Sequence, residues 1–206
     1  MKTAFYHFTK RLIDIIASLI AVILLLPLMI IIAIWIKLDS KGPAVFKQTR
    51  AGRNAQPFTL YKFRTMRTDA DPFGSSPHDS ADPRLTRSGK FLREHSLDEL
   101  PQLFNVLTGK MSLVGPRPLY IQQITEWSDY HKKRLEVKPG LTGLAQIKGR
   151  GELTIEQKLD YDVQYVQTAS TATDLKIIFA TIAVLLGRKS IYEKQYSSEK
   201  KFRDSD

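Results

Sequence analysis

Two adjacent carboxylates, Asp98 and Glu99, are the side chains of this 206-residue sequence that most clearly suggest chemistry. They lie in the stretch HSLDELPQLFNVLTG, residues 95–109. One interpretation is structural, because Ser96-x-x-Glu99 before apolar residues is the pattern of a helix capping box. The other is catalytic, because an aspartate can act as a nucleophile and form an acyl-phosphate. The stretch alone leaves both interpretations open.

Other common catalytic groups are scarce. The chain has no cysteine, which excludes disulfides, thiolate nucleophiles and the usual structural zinc sites. His95 lies close to the carboxylates and is a weak acid–base candidate. A hard cation such as Mg²⁺, held by one or two carboxylates and substrate phosphates, fits this composition. No two histidines have a metal-binding spacing among His7, His78, His95 and His131.

Cations dominate the rest of the chain and predict an anionic partner. The formal net charge is +10, which is compatible with nucleic acid, acidic lipid headgroups or phosphorylated small molecules. Residues 41–68 contain seven basic residues and no acidic one. Arg117 lies between two prolines in GPRP, and Arg150 follows a glycine-rich stretch, KPGLTGLAQIKGRG. Glycines let a backbone approach a ligand, and arginine binds phosphate bidentately.

The elements that position these residues are a strand pair and a short helix. The runs AVFKQT and PFTLYKFRTM, separated by RAGRNAQ, predict a β-hairpin on which Lys62 and Arg64 share a face. Pro101 is tolerable only in the first turn of the helix that follows, which puts Asp98 near its positive end. The spacing predicts a polar stripe of Asp98, Gln102 and Asn105 opposite an apolar side formed by Leu97, Leu100, Phe104 and Leu107.

The N-terminal part carries a membrane segment. Residues 15–36 form 22 uncharged residues, long enough to span a bilayer, but Pro27 divides them into two arms that are each too short. Either a kinked spanning helix or a re-entrant helix broken at Pro27 is compatible with this pattern. Basic residues flank both ends, which favours the re-entrant form. A second apolar run, residues 177–186, is either a core helix or a helix at the bilayer interface.

These patterns predict an α+β protein. It comprises a small mixed helical catalytic domain with a short β-hairpin, an N-terminal re-entrant membrane helix and interfacial amphipathic helices. We expect a helix–break–helix over residues 1–40, a cytosolic catalytic domain over 41–175, and a membrane-surface helix with a polar tail over 176–206.

The chain resembles the small monotopic phosphoglycosyl transferases, bacterial sugar transferases that begin glycan assembly on polyprenyl phosphate. Six motifs carry the resemblance in order: KRLIDI, YKFRTM, SLDELPQLFNVL, MSLVGPRP, KPGLTGLAQIKGR and YDVQYV. It implies transfer of a sugar-1-phosphate from a UDP-sugar to polyprenyl (undecaprenyl) phosphate, with release of UMP, through a covalent phosphosugar-aspartate intermediate. It also implies Mg²⁺ as cofactor and a monotopic position on the cytoplasmic face of the bacterial inner membrane, among membrane lipids.

The resemblance also implies roles for individual residues. Asp98 would be the nucleophile and a magnesium ligand, and Glu99 its partner. In the family the re-entrant helix breaks at a Ser-Pro pair, where this chain has Leu26-Pro27. The substrate-binding residues that it implies are Lys62, Arg93, Arg117, Arg150, Asp162 and Asp174.

The sequence is also compatible with one alternative function, that of a membrane-anchored basic polyanion-binding protein in which the Asp-Glu pair is purely a helix cap. The transferase interpretation expects no nucleic-acid partner. The donor expected from the sequence is either a UDP-HexNAc or a UDP-hexose, and no short motif indicates the glycan pathway. It is compatible with a homodimer.

Overall fold

The computed structural model describes residues 4–71, 77 and 79–186 of the chain. The α-helices are α1 (Ala4–Asp39), α2 (Arg87–Glu94), α3 (Gln102–Leu107), α4 (Asp129–Lys132), α5 (Leu144–Lys148), α6 (Ile155–Thr168) and α7 (Thr171–Leu186). The strands are β1 (Val45–Ala51), β2 (Pro57–Phe63), β3 (Ser112–Val114) and β4 (Gly140–Thr142). Short 3₁₀ turns cover Arg53–Ala55, Leu97–Glu99, Ile121–Glu126, Lys133–Glu136 and Arg150–Glu152. The predicted mixed, helix-rich fold is therefore confirmed.

The predicted hairpin is present, with β1 and β2 antiparallel from Val45 opposite Phe63 to Ala51 opposite Pro57. Phe58 and Leu60 are buried against α3, as the period of two requires for one face of a strand. Arg64, predicted to share a face of the hairpin with Lys62, lies one residue beyond the end of β2. Its guanidinium is buried and donates to the carbonyls of Ser40, Lys41 and Pro43. Arg64 therefore fixes the chain that follows α1.

Helix α3 is shorter than predicted, and the residues of its predicted polar stripe are buried. Its polar residue Asn105 is buried, accepting from the Tyr61 backbone N–H and donating to the Thr59 carbonyl of β2. Phe104, predicted to be on the apolar side, is 36% exposed. Because β2 offers backbone hydrogen-bond groups, the polar stripe packs inwards. The buried apolar contacts of α3 come from Leu103 and Val106.

The membrane segment forms one helix, α1, which continues through Pro27. The helix does not end at Pro27 as the predicted break requires, because one proline removes a single backbone hydrogen bond inside a long apolar run. The re-entrant form itself stays a prediction. By length and composition α1 is the one described helix that could cross a membrane. One face is buried along its length, while the remaining apolar side chains are exposed, including Ile16, Leu19, Ile20, Ile23, Leu24, Ile30, Ile31, Ile34 and Leu38.

Both ends of α1 contact the polar domain. Near its start, Asp14 accepts hydrogen bonds from the Ser112 hydroxyl and the Leu113 backbone N–H of β3. Near its end, Ile36 is fully buried in a cluster with Phe63 and Leu92. The helix is thus fastened to the same domain at two places that are separated by most of its length.

Helix α7 has two apolar faces with different environments. Ile177 is buried in a cluster with Val114 and Tyr165, while Phe179 and Ile182 are 67% and 51% exposed. An exposed apolar stripe beside a packed face is typical of an interfacial helix. The predicted polar tail lies outside the described residues, and the predicted division at residues 40 and 175 stays a prediction.

The GPRP loop follows β3, which pairs in parallel with β4. A Cβ on Gly140 would lie 2.1 Å from the Gly115 backbone nitrogen, and one on Gly143 would lie 2.2 Å from the Gly115 carbonyl oxygen. These glycines were predicted to admit a ligand. They instead admit the backbone of Gly115, two residues before Arg117, and so fix the position of that loop.

Candidate active site

The carboxylate pair lies in the 3₁₀ turn of residues 97–99, between α2 and α3. The capping-box interpretation is wrong. Ser96 has a φ of +56° and its side chain caps no backbone N–H. The Ser96 hydroxyl instead accepts a hydrogen bond from Arg150, at 3.1 Å. Because Ser96 has a left-handed conformation, the chain changes direction after α2. The pair therefore lies before the first residue of α3 and not within that helix.

Glu99 is the anchored member of the pair. Its Oε1 atom accepts from Lys62 Nζ at 3.0 Å and from Arg117 Nη2 at 2.8 Å. One cation comes from β2 and the other from the GPRP loop. Burial alone would raise the pKa of Glu99, but the charges of Arg117 and Lys62 and their hydrogen bonds outweigh it and hold that pKa below the ordinary value. Glu99 is therefore ionised at neutral pH.

Asp98 has a different environment. It is 7% exposed, and its Oδ2 atom lies 3.9 Å from Lys62 Nζ, with no hydrogen bond to the carboxylate in the described part of the chain. Burial raises the pKa of Asp98, Lys62 opposes that shift, and the neighbouring charge of Glu99 adds to it. The pair thus combines a stabilised carboxylate with one whose ionised form is poorly compensated.

Two further predicted residues lie near the pair. The positive charge of Arg93 acts to lower the pKa of Asp98, and its Nε atom is buried with no hydrogen-bond partner among the described residues. Arg150, with a φ of +49°, lies close enough for the charges of both carboxylates to act on its guanidinium. Burial nevertheless lowers the pKa of Arg150. A buried N–H without a partner, such as the Nε of Arg93, is costly unless an acceptor such as a phosphate oxygen completes it.

Asp162 is linked to the pair indirectly, through Arg134 and the GPRP loop. Its Oδ2 atom accepts two hydrogen bonds from Arg134, at 3.0 and 2.7 Å, and both side chains are buried. Arg134 also donates to the carbonyl of Arg117 and lies 4.8 Å from the centre of the Trp127 ring. Asp162 therefore holds Arg134, which holds the backbone of the loop that presents Arg117 to Glu99. Sequence reasoning missed Arg134, because HKKRLE contains no motif that singles it out.

Asp174 is not brought together with Asp98. Its carboxylate accepts from Lys10 at 2.8 Å and from the hydroxyls of Tyr6 and Tyr165 at 3.1 and 2.7 Å. These partners join the start of α1 to α6 and α7. The ring of His95 stacks on Phe91, and its Nδ1 atom lies 2.9 Å from the Phe91 carbonyl oxygen.

The residues fit a magnesium ion that is completed by substrate. No group of three or more acidic or histidine ligands occurs among the described residues. Mg²⁺ commonly binds through one or two carboxylates together with substrate phosphates and water. Asp98 has carboxylate oxygens without hydrogen-bond partners in the described part, so it can serve as such a ligand.

An open apolar groove of about 560 Å³ is lined by residues of α1, of the hairpin and of the segment that follows the pair. Pro101 and Phe104, which follow the carboxylates in sequence, form one side, and the second half of α1 forms another. The volume is in the range of small-molecule sites. The lining residues are Met29, Ile30, Ala33, Val45, Lys47, Tyr61, Phe63, Pro101 and Phe104.

A carboxylate pair among arginines, on a domain packed against a long apolar helix, is typical of a membrane-associated enzyme that acts on anionic substrates. The family model for "Bacterial sugar transferase" matches residues 5–188. The chain belongs to this family, and the predicted resemblance to bacterial phosphoglycosyl transferases is confirmed.

Three similar bacterial proteins have transferase names. A Bacillus subtilis protein called "Uncharacterized sugar transferase EpsL" is 40% identical over 196 residues, covering 95% of this chain and 96% of its own length. A UDP-glucose:undecaprenyl-phosphate glucose-1-phosphate transferase of Caulobacter vibrioides is 43% identical, covering 89% of this chain and 72% of its own. A Klebsiella pneumoniae protein of the same name is 44% identical over 89% of this chain, which spans only 41% of that relative.

Proposed function

We propose that this protein transfers a sugar-1-phosphate from a UDP-sugar to undecaprenyl phosphate and releases UMP, through a phosphosugar intermediate on Asp98. The relatives' names supply the two substrates, with UDP-glucose as the first donor to test. The observation that carries the proposal is the contrast within the pair. Glu99 is bound by two cations, whereas Asp98 is buried beside them without a hydrogen bond.

In the first step, an Asp98 carboxylate oxygen would attack the phosphorus that bears the sugar. A carboxylate–phosphorus bond forms, the bond to the bridging oxygen of the diphosphate breaks, and UMP leaves with that electron pair. Asp98 suits this role because its ionised form is desolvated, which raises its pKa and leaves its lone pairs unengaged. Bound Mg²⁺, held by Asp98 and the donor diphosphate, would supply charge neutralisation at the phosphate oxygens.

In the second step, an oxygen of the acceptor phosphate would attack the same phosphorus. The new bond creates the diphosphate of the lipid-linked sugar, and Asp98 is released as a carboxylate. Each step breaks one phosphorus–oxygen bond and forms another, so the reaction needs no oxidant and no net water.

The cations around the pair divide the remaining tasks. Glu99 stays ionised and holds Lys62 and Arg117 in place, so we assign it a positioning role rather than proton transfer. Arg93 has a buried Nε without a partner in the described chain, and it would bind a phosphate oxygen. Arg150 is anchored on Ser96 and would contact the same phosphates from the opposite side of the turn.

The contacts of α1 support a monotopic position. If α1 crossed the bilayer, the polar domain that contacts both of its ends would have to extend through the hydrocarbon core, about 30 Å thick. Asp14 and Ile36 both contact that domain, and basic residues flank both ends of the apolar run. We therefore place both flanks on the cytoplasmic side, as the preference of lysine and arginine for that side predicts. α7 would lie at the same interface through Phe179 and Ile182.

The groove supplies a path for the isoprenyl chain of the acceptor. Its walls join the apolar surface of α1 to the residues that follow Glu99, so a lipid chain held there would bring its phosphate towards the pair. The acceptor could then react while its apolar tail stays out of water.

The experiment that tests the proposal is a UMP-release assay on the full chain in membrane nanodiscs, with undecaprenyl phosphate, Mg²⁺ and a panel of UDP-sugars. We expect release with at least one donor and its loss in Asp98→Asn. Intact-mass measurement after donor alone should show the added sugar phosphate on the wild-type chain. The matched control is Asp160→Asn, an exposed aspartate of α6. Absence of UMP with every donor contradicts the transferase function, whereas turnover without a modified chain contradicts the covalent step alone.

A further inference from the structure

A second cationic site lies at the opposite end of α3 from the carboxylate pair. Arg11 donates to the carbonyls of Val106 and Leu107, at 2.7 and 2.8 Å, where α3 ends. The pair precedes the start of the same helix. The proposed reaction therefore makes no use of Arg11 or of the side chain that meets it there.

That side chain is Lys138. The point where a Cβ of residue 109 would lie is 3.2 Å from Arg11 Nη2 and 3.5 Å from Lys138 Nζ. The two nitrogens are thus no farther apart than the sum of these distances, 6.7 Å. Gly109 has a φ of +79°, and the absence of a Cβ leaves the space between the cations open.

The charges at this site are not balanced. Lys138 is half-buried and forms neither a hydrogen bond nor an ion pair with any described residue. Burial lowers its pKa, and the charges of Arg11, Arg53 and Lys10 lower it further, while Asp14 alone opposes them. The Asp14 carboxylate already accepts from β3. An anion between Arg11 and Lys138 would relieve this repulsion.

The position of the site indicates which anion. Arg11 is followed at once by Leu12 and Ile13, which are 47% and 37% exposed, where the apolar surface of α1 begins. Phe8 is 68% exposed on the preceding turn. The two cations therefore lie at the boundary between polar and apolar surface, which is the depth of lipid phosphates.

We propose that Arg11 and Lys138 bind the phosphodiester of an anionic phospholipid, at a site separate from the catalytic pair. This inference does not depend on the proposed reaction. Three segments form the site, namely the first turns of α1, the end of α3, and the residues that lead into β4. A bound lipid would therefore link the membrane to the helix that carries the catalytic turn at its other end.

The test uses the full chain in nanodiscs that contain phosphatidylcholine with or without phosphatidylglycerol, with native mass spectrometry to count retained lipids. We expect the wild-type chain to retain phosphatidylglycerol in preference, and Lys138→Gln to reduce this preference about fivefold. Lys138→Arg should keep it, and so should the matched control Lys90→Gln, an exposed lysine of α2.

Other outcomes overturn the proposal. Equal retention by the wild-type chain and Lys138→Gln would show that Lys138 binds no lipid phosphate. Displacement of phosphatidylglycerol by inorganic phosphate or UDP would identify a site for soluble phosphates instead. If Lys138→Gln fails to fold, the wild-type chain and Lys138→Arg still test the site. A wild-type chain that shows no preference for phosphatidylglycerol would contradict the proposal.

Discussion

Asp98 and Glu99 are neighbours in sequence, but only Glu99 is hydrogen-bonded, to Lys62 at 3.0 Å and to Arg117 at 2.8 Å. Asp98 lies 3.9 Å from the same lysine. The pKa of Glu99 is consequently lowered and that of Asp98 is raised. Two similar groups are thus differentiated by their partners, which separates anchoring from reactivity.

This contrast predicts opposite effects of two isosteric substitutions on stability. A raised pKa means that the folded chain binds the proton of Asp98 more tightly than the unfolded chain, so ionised Asp98 reduces stability at neutral pH. Asp98→Asn should therefore raise the melting temperature at pH 7.5. This gain should shrink as the pH falls towards the ordinary aspartate pKa, 3.8, where Asp98 binds its proton. Thermal unfolding without Mg²⁺ or substrate measures it.

Glu99→Gln is the matched comparison. Because the pKa of Glu99 is lowered, its ionised form adds stability above the unfolded-state pKa, and this contribution is lost only as the pH falls through the folded-state value. We expect a lower melting temperature at pH 7.5 for Glu99→Gln. Changes in the same direction for both variants would contradict the assignment of distinct environments.

Arg93 should matter for substrate rather than for folding. Its Nε is buried without a partner among the described residues, so Arg93→Gln removes no internal hydrogen bond. We expect at most a small fall in the melting temperature, because only the favourable charge interaction of Arg93 with Asp98 is lost, and an increase of about 10- to 100-fold in KM for the UDP-sugar. Steady-state UMP release measures this increase. Arg87→Gln, at an exposed position on the same helix, should change neither quantity, and an unaltered KM in Arg93→Gln would exclude Arg93 from phosphate binding.

The groove can be tested by filling it. Ala33→Trp places a bulky ring on the α1 wall and should raise KM for undecaprenyl phosphate, because the acceptor chain loses apolar contact. The donor-only burst of UMP should be unchanged, which also reports a folded catalytic site. Ile16→Trp, exposed on α1 outside the groove, is the control. Equal acceptor KM values for both variants would place the lipid chain elsewhere.

The ion pair of Arg134 and Asp162 should contribute to both stability and activity. Each single substitution, Arg134→Met or Asp162→Asn, leaves a buried charge without its partner and should cost about 3–5 kcal/mol of unfolding free energy. The double variant should lose less than the sum of the two. Both singles should also lower kcat, because Arg134 holds the carbonyl of Arg117. Chemical denaturation and UMP release measure the two effects, and full activity in Arg134→Met would rule out this positioning role.

The sequence predicted the elements with a simple period or a strong motif. Alternation in β2 identified the hairpin and placed Lys62, and the clustered cations anticipated the surroundings of Glu99. The sequence could not predict which carboxylate those cations bind, because Asp98 and Glu99 are adjacent residues. The burial of Asn105 was not predicted, since the backbone groups of β2 that bind its side chain lie more than 40 residues away in the sequence. Arg134 was missed because it acts through a carbonyl, which no residue pattern reveals.

The fastening of α1 at both ends has a consequence for how the protein acquires its structure. Met29, Ile32 and Ile36 complete a buried cluster with Phe63 and Leu92, so the apolar helix is part of the core of the polar domain. Removing α1 would uncover that cluster instead of releasing a soluble catalytic domain. We therefore expect insertion of the helix into the lipid and formation of the domain around the carboxylate pair to be steps of a single folding process.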